Sequence, residues 1–185
     1  MSAIWILFGI MALIAVTLIV IYNGLVRLKN LAQEGWSGID VQLKRRADLI
    51  PNLVQTVKGY AAHESGVFEK VTQARADATK AINPTDRGRA ESALSGALMN
   101  LMAVAENYPD LKASQNFQQL QSSLADTEDQ LQMARRYYNG AVRNLDTAIQ
   151  SFPNNIIAGL FHFQPMAYFQ LDDQNDRVAP KVSLS

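Results

Sequence analysis

Apolar residues return every third or fourth position through much of this chain. In WSGIDVQLKRRADLIPNLVQTVKGYAAHE (Trp36–Glu64), Ile39, Leu43, Ile50, Leu53 and Val57 form one helical stripe, with a step of seven between Leu43 and Ile50. Alternation at period two is absent, so a strand does not fit. Leu25, Leu28, Ala32 and Trp36 carry the same stripe back toward the N-terminus. Gly35 and Gly38 weaken a helix there without having to end it. Pro51 lies inside the stripe. It removes a backbone donor and crowds the carbonyl four residues back, which predicts a kinked but continuous helix. On that helix Trp36 lies about 15 Å beyond Val26, which makes core packing its expected role.

The elements that follow are marked by their breaks. Gly59, Ser65 and Gly66 bracket a reversal. A second stripe holds Val67, Val71, Ala74 and Ala78, and Asn83-Pro84-Thr85-Asp86 reads as a turn and helix cap. A helix over about Asp86–Glu106 contains ALSGALMNLMAVA, small enough to be buried among neighbours on several faces. Tyr108-Pro109-Asp110 turns the chain again. A long helix is predicted from about Leu111 to Ser151, with Phe117, Leu120, Leu124, Leu131, Ala134, Tyr138, Ala141, Leu145 and Ala148 on one side. Pro153 stops it.

Relative lengths choose the topology. About 20 residues span about 30 Å and about 40 span about 60 Å. An unbroken helix from the N-terminus to Ile82 would leave the last long helix overshooting the free end. A reversal at Gly59–Gly66 avoids this and predicts an all-α fold: an antiparallel up-and-down four-helix bundle, its first and last helices paired with Ser37 opposite Ser151. The unbroken helix to Ile82 is the alternative.

The N-terminus stands apart. Met1–Val26 holds no charged residue, and Ala3–Ile21 is dense in Ile, Leu, Val, Met and Ala. A bilayer core needs about 20 such residues. No basic residue precedes the run and no Ala-x-Ala site follows it, so a retained anchor fits better than a cleaved signal. Arg27 and Lys29 follow directly, with Lys44–Arg46 further on. The positive-inside rule then places the soluble part in the cytoplasm of a single-pass protein of the bacterial inner membrane. The expected domains are an anchor over 1–26, a helical bundle over 27–170 and a mobile tail over 171–185.

Charge and composition remove several classes. The 185 residues carry 17 basic and 17 acidic side chains, a balance unlike that of nucleic-acid proteins. Arg27–Ala81 has nine basic against six acidic residues and Ile82–Ser185 eight against eleven. Without cysteine there is no disulfide, thiolate nucleophile or Cys-ligated zinc. His63-Glu64 would begin a zinc-helix motif, but Val67 stands where its second His belongs. No Glu-x-x-His pair, Gly-x-Ser-x-Gly elbow or phosphate-cradling loop occurs. No catalytic, metal or cofactor residue is therefore assigned. The candidate interaction surface is basic: Lys44, Arg45 and Arg46 with Arg135 and Arg136, for anionic lipid or an acidic partner. The competing reading pairs each cluster locally, with Asp48 and with Asp126–Asp129. Tyr137-Tyr138-Asn139 reads as core and boundary packing.

Five of the fifteen aromatics fall between Phe152 and Phe169. Such density calls for a burial site. The expectation is a short helix, Asn155–Phe161, capped by Asn154 after Pro153, laying Ile156, Leu160 and Phe161 on the first helix near Trp36 and Ile39. The alternatives are the bilayer interface or a second subunit.

Several stretches carry a family resemblance. Trp36–Glu64, VTQARADA, ENYPDLKA, ARRYYNGAVRNLDT, FPNNIIAGLFHF and AYFQ, in that order, resemble the LemA family of bacterial membrane-anchored helical proteins. The likeness runs from Tyr22 to Gln170. Leu131-Gln132, Leu145-Asp146 and His162 depart from it, the last standing where such proteins often have Gly. The resemblance implies a four-helix bundle and an anchor, with no catalytic residues to carry over. Some members of such families are associated with envelope stress or with shaping specialised membranes. A scaffold or adaptor acting on a partner protein or a second copy is the expected function, held to lipid by Met1–Val26. A sensory bundle signalling through the membrane helix is the alternative. An apolar internal pocket would favour the sensor, and open grooves on a closed core the scaffold.

Overall fold

A computed structural model describes residues 2–170. The tail expected over 171–185 lies outside the described residues. The fold is all-helical, with no strand among the described residues. Six helices follow in order: α1 Ser2–Lys58, α2 Ser65–Lys80, α3 Pro84–Ala105, α4 Pro109–Ala113, α5 Gln115–Gln150 and α6 Asn154–Leu160.

The breaks have local causes. α1 runs through Pro51 without interruption and ends at Lys58. The reversal before Ser65 rules out the unbroken helix to Ile82. Asn83 caps α3, its side chain accepting from the Asp86 amide, and Pro84 occupies the first turn, where no amide partner is needed. One expected helix is two. Ser114 is extended (ψ 124°), closing α4 through its amide to the Leu111 carbonyl, while its own carbonyl accepts from the Gln118 amide to open α5. Burial of Leu111 fixes the short α4 in place.

The chain divides into two compact units. One comprises Val41–Leu131 and, among the described residues after them, Phe169 and Gln170. Its core gathers Ile50, Leu53 and Val57 from α1, Phe68 and Val71 from α2, Leu94, Leu98 and Leu101 from α3, Leu111 from α4 and Phe117 from α5. The stripe around Pro51 therefore keeps its phase, since Ile50 and Leu53 are both buried. α3 is not buried on all sides. Glu91, Leu94, Leu98, Leu101 and Ala105 form one buried stripe, while Met99 is 71% exposed. Small residues here thin one face rather than enclosing the helix.

The other unit comprises Met1–Asp40 and Gln132–Tyr168. α1 and α5 approach most closely at Gly35, where a Cβ would stand 3.0 Å from the Tyr138 Cα. Trp36 stacks against Tyr138 at 5.5 Å between ring centres. Tyr138 is fully buried and its hydroxyl donates to the Ala167 carbonyl at 2.6 Å, holding the segment after α6 against α5. Burial, with a smaller contribution from Asp146, raises its phenol above the ordinary range, so it stays a donor at neutral pH. Ile39 is buried in the same stripe.

This register differs from the expected one. Gly35 faces Tyr138, so Ser151, thirteen residues on, lies about 20 Å further toward the N-terminal end of α1 and not opposite Ser37. α6 consequently lands on Leu25, not on Trp36 and Ile39. Its buried residues are Ile157 and Ala158, packed with Leu25, Ile21, Ala148, Ile149 and Phe163. The residues expected to be buried, Ile156, Leu160 and Phe161, are exposed, as is Phe152. Pro153 occupies the cap position and no side chain caps the helix. His162 ends it in the left-handed region (φ 55°), which lets the Phe163 amide reach the Ala158 carbonyl. That explains why glycine suits this position.

The contact at Gly35 can be tested by substitution. Gly38→Ala meets nothing within 4 Å and should raise stability by about 0.5–1 kcal/mol through helix propensity. Gly35→Leu should lower it by about 1–3 kcal/mol by forcing α5 away. Denaturant unfolding of the detergent-solubilised chain, followed by circular dichroism, measures both. Equal effects of the two substitutions would show that the contact does not hold the helices.

Candidate functional site

The expected basic surface comes apart on inspection. Lys44 and Arg45 are exposed on α1, but Arg46 is 5% exposed and belongs to the interior of the unit Val41–Leu131. The stripe explains this. Arg46 is three residues from both Leu43 and Leu49 and four from Ile50, on the same side of the helix as the apolar positions. Its expected local partner Asp48 is not the one it takes. Arg135 and Arg136 lie on α5 in the other unit. They line a groove with Asn139, Gly140, Arg143 and Tyr168, in which three guanidinium groups and no carboxylate occur among the described residues.

Arg46 heads an ionic cluster that draws on three helices. Its Nη1 lies 3.7 Å from Glu91 Oε2 on α3 and 3.3 Å from Glu128 Oε2 on α5. Its Nη2 donates to Ser95 Oγ at 2.7 Å, and that hydroxyl donates to the Glu91 carbonyl one turn back at 3.0 Å. Arg87 Nε stands 3.5 Å from Glu91 Oε1, and Arg87 Nη1 donates to the Ala81 carbonyl at 3.1 Å, across the turn before α3. Nearby, Arg75 on α2 donates to the Ala47 carbonyl at 2.6 Å.

Glu91 is the centre of this cluster and is 2% exposed. Burial raises its pKa above the ordinary 4.5, more than Arg46 and Arg87 lower it, and Glu128 adds to the rise. At 3.5–3.7 Å its contacts are ion pairs longer than good hydrogen bonds, so they offset desolvation only in part. The ion pairs of the cluster hold α1, α3 and α5 at one level. Among the described residues no three metal-ligating side chains converge.

A second contact closes the same unit. A Cβ at Gly88 would stand 2.1 Å from the Gln170 carbonyl oxygen, so only glycine lets the backbone after Phe169 cross α3 there. Phe169 is fully buried. Sequence reading singled out none of Gly88, Arg87, Glu91 and Glu128. The available signal was a glycine, two arginines and a glutamate at helical spacing in an otherwise small and apolar helix.

Comparison with known proteins places this arrangement. Residues 35–184 match the LemA family. The chain belongs to the LemA family. The match begins at Gly35, the residue of closest α1–α5 approach, and takes in the ionic cluster. The magnetosome protein MamQ of Magnetospirillum gryphiswaldense is 24% identical over 194 residues, covering 90% of this chain and 71% of its own. Magnetosome protein MamQ 2 of Paramagnetospirillum magneticum is 27% identical, covering 88% and 69%. Protein LemA of Metamycoplasma hominis is 27% identical over 152 residues, covering 82% and 69%.

The cluster makes a pH-dependent prediction. Glu91→Ala leaves two buried guanidinium groups short of a partner and should cost about 3 kcal/mol or more. Because the folded pKa of Glu91 is raised, its contribution to stability is fullest below the ordinary 4.5 and is lost as pH rises through the folded value. Glu91→Gln keeps the shape and removes that loss. Unfolding midpoints measured from pH 4 to 8 should converge for wild type and Glu91→Gln at the acid end and separate, in favour of Gln, toward neutrality (about one pKa unit corresponds to 1.4 kcal/mol). Parallel curves would show that Glu91 titrates normally.

Proposed function

We propose that this chain is a membrane-anchored helical scaffold or adaptor, without catalytic activity, that presents its bundle to a partner protein or a second copy in the bacterial inner membrane. One observation carries the reading. α1 is a single helix whose first part is bare and apolar and whose later part enters a core. Within it lies an 18-residue window of mean hydropathy 3.0, none of it buried. Ile4, Leu7, Met11, Ile14, Leu18 and their neighbours are all more than 40% exposed. Such a surface requires a bilayer.

The scaffold is favoured over the sensor by the surface. The groove between Asn52, Gln55 and Thr56 on α1 and Asn116, Gln119, Leu120 and Ser123 on α5 is open and mostly polar, and the more apolar one at Val20, Ile21, Leu25 and Leu28 is open as well. The groove of Arg135, Arg136 and Arg143 suits an acidic partner segment. Lys44 and Arg45 add to the exposed basic residues. The four-helix up-and-down reading and the cytoplasmic placement of the bundle belong to this proposal. Arg27 and Lys29 following the span support the placement.

Two measurements test it. A reporter active only in the cytoplasm, fused after Ser185, should be active, and activity of an export-only reporter there would invert the topology. Cross-linking in native membranes should capture a specific partner that Arg135→Glu/Arg136→Glu loses by about tenfold, the effect of about 1.4 kcal/mol. A partner retained at full yield would remove the basic groove as the contact surface.

A further inference from the structure

The C-terminal part of the unit Met1–Asp40/Gln132–Tyr168 exposes what a soluble surface would hide. Phe152, Ile156 and Leu160 recur at four-residue steps and are 80%, 59% and 67% exposed. Ile156 and Leu160 share one side of α6, with Phe152 exposed in the turn just before it, and the buried residues of the helix, Ile157 and Ala158, pack with Leu25. Phe161, half-exposed, follows. α6 is thus apolar on both faces, with one face covered.

The level of this face along α1 decides what covers the other. Ala3–Val20 spans about 27 Å, close to the thickness of a hydrocarbon core. Tyr22 comes next, where interfacial aromatics sit. The Phe161 ring lies tilted against Tyr22 at 4.8 Å between centres, and Phe163 meets it edge-on at 5.8 Å. Phe161 and Phe163, just after α6, therefore stand at the level of Tyr22, where the apolar run of α1 ends. The charge pattern agrees. Between Asp146 and Asp172 no Lys, Arg, Asp or Glu interrupts the stretch. A face offered to water or to a polar partner has no reason to be so bare.

We infer that α6 is a second, interfacial membrane contact: Phe152, Ile156, Leu160 and Phe161 sink into the headgroup–acyl boundary beside the span, and Ile157 and Ala158 tie that contact to α1. Such a seat fixes the tilt and rotation of α1 where one span alone leaves both free. The inference rests on the membrane-anchor reading of Ala3–Val20.

The native chain has no cysteine, so single probes are clean. The full-length chain is reconstituted in phosphatidylcholine–phosphatidylglycerol vesicles with acyl-brominated lipid. An environment-sensitive fluorophore is placed at Phe152→Cys, Ile156→Cys or Leu160→Cys, all exposed positions whose loss spares the core. Met133→Cys is the reference, exposed on α5 one turn before Tyr137, which touches Gly35 about 20 Å along α1 from Tyr22. Lipid quenching at the three α6 positions should exceed that at Met133 about threefold or more, with a blue-shifted emission. A chain that floats with the vesicles but is quenched no more at Ile156 than at Met133 overturns the inference and leaves the anchor standing. Unquenched probes together with disulfide-linked dimers at Ile156→Cys assign the face to a second copy and overturn it likewise. A chain that does not float overturns both readings.

Discussion

The arrangement of the membrane-facing unit depends on a missing methyl group. At Gly35 two helix backbones come so close that a Cβ would press on the Tyr138 Cα. Helices meeting this closely leave no room for a side chain at the point of contact. Trp36 on one side and the Tyr138 ring on the other complete the lock. Everything beyond it follows by counting. With Tyr138 opposite Gly35, Ala148 and Ile149 reach Leu25, and the turn at Pro153 delivers α6 to Tyr22. The bond from Tyr138 to Ala167 then returns the chain along α5.

The other unit solves a different problem. Its apolar core would tolerate several rotations of α1, since Leu, Ile and Val replace one another at modest cost. Arg46 removes that tolerance. A guanidinium inside the core is acceptable only where Glu91, Glu128 and Ser95 await it. Replacing the whole cluster by well-packed apolar residues need not weaken the fold, whereas removing any single member does. The charges therefore specify which arrangement forms rather than adding much to how stable it is.

Helices, caps and the reversal after Lys58 were legible in the sequence because their causes are local: a 3.6 period, an Asn-Pro cap, glycines at a turn. The unbroken passage through Pro51 was legible for the same reason, as the apolar phase survives it. What misled was the reading of charge and of small residues. Arg46 stands in a run of three basic residues and looks like surface, yet its position in the stripe places it inward. Gly35 looked like a weakness in a helix, and its function lies in a partner more than a hundred residues away. Density of aromatics around Phe152–Phe169 rightly signalled a contact, but not which of them would be buried. Ser114 carries no strong break signal, so two helices read as one.

Leu25 is 1% exposed and packs with α6, and Ile21 packs against the same cluster. The run that composition assigns wholly to the lipid thus ends inside the folded protein. Its last turn is not bare on every side, since Leu25 and Ile21 pack against Ile157 and Ala158. No seam exists at Val26 along which a soluble piece could be detached intact: a fragment beginning at Arg27 would lack the counterface of Ile157 and Ala158 and the ring on which Phe161 rests. Evolution of such a chain cannot exchange its apolar segment freely for another of equal hydropathy, because Ile21, Tyr22 and Leu25 must also fit the folded protein beside them.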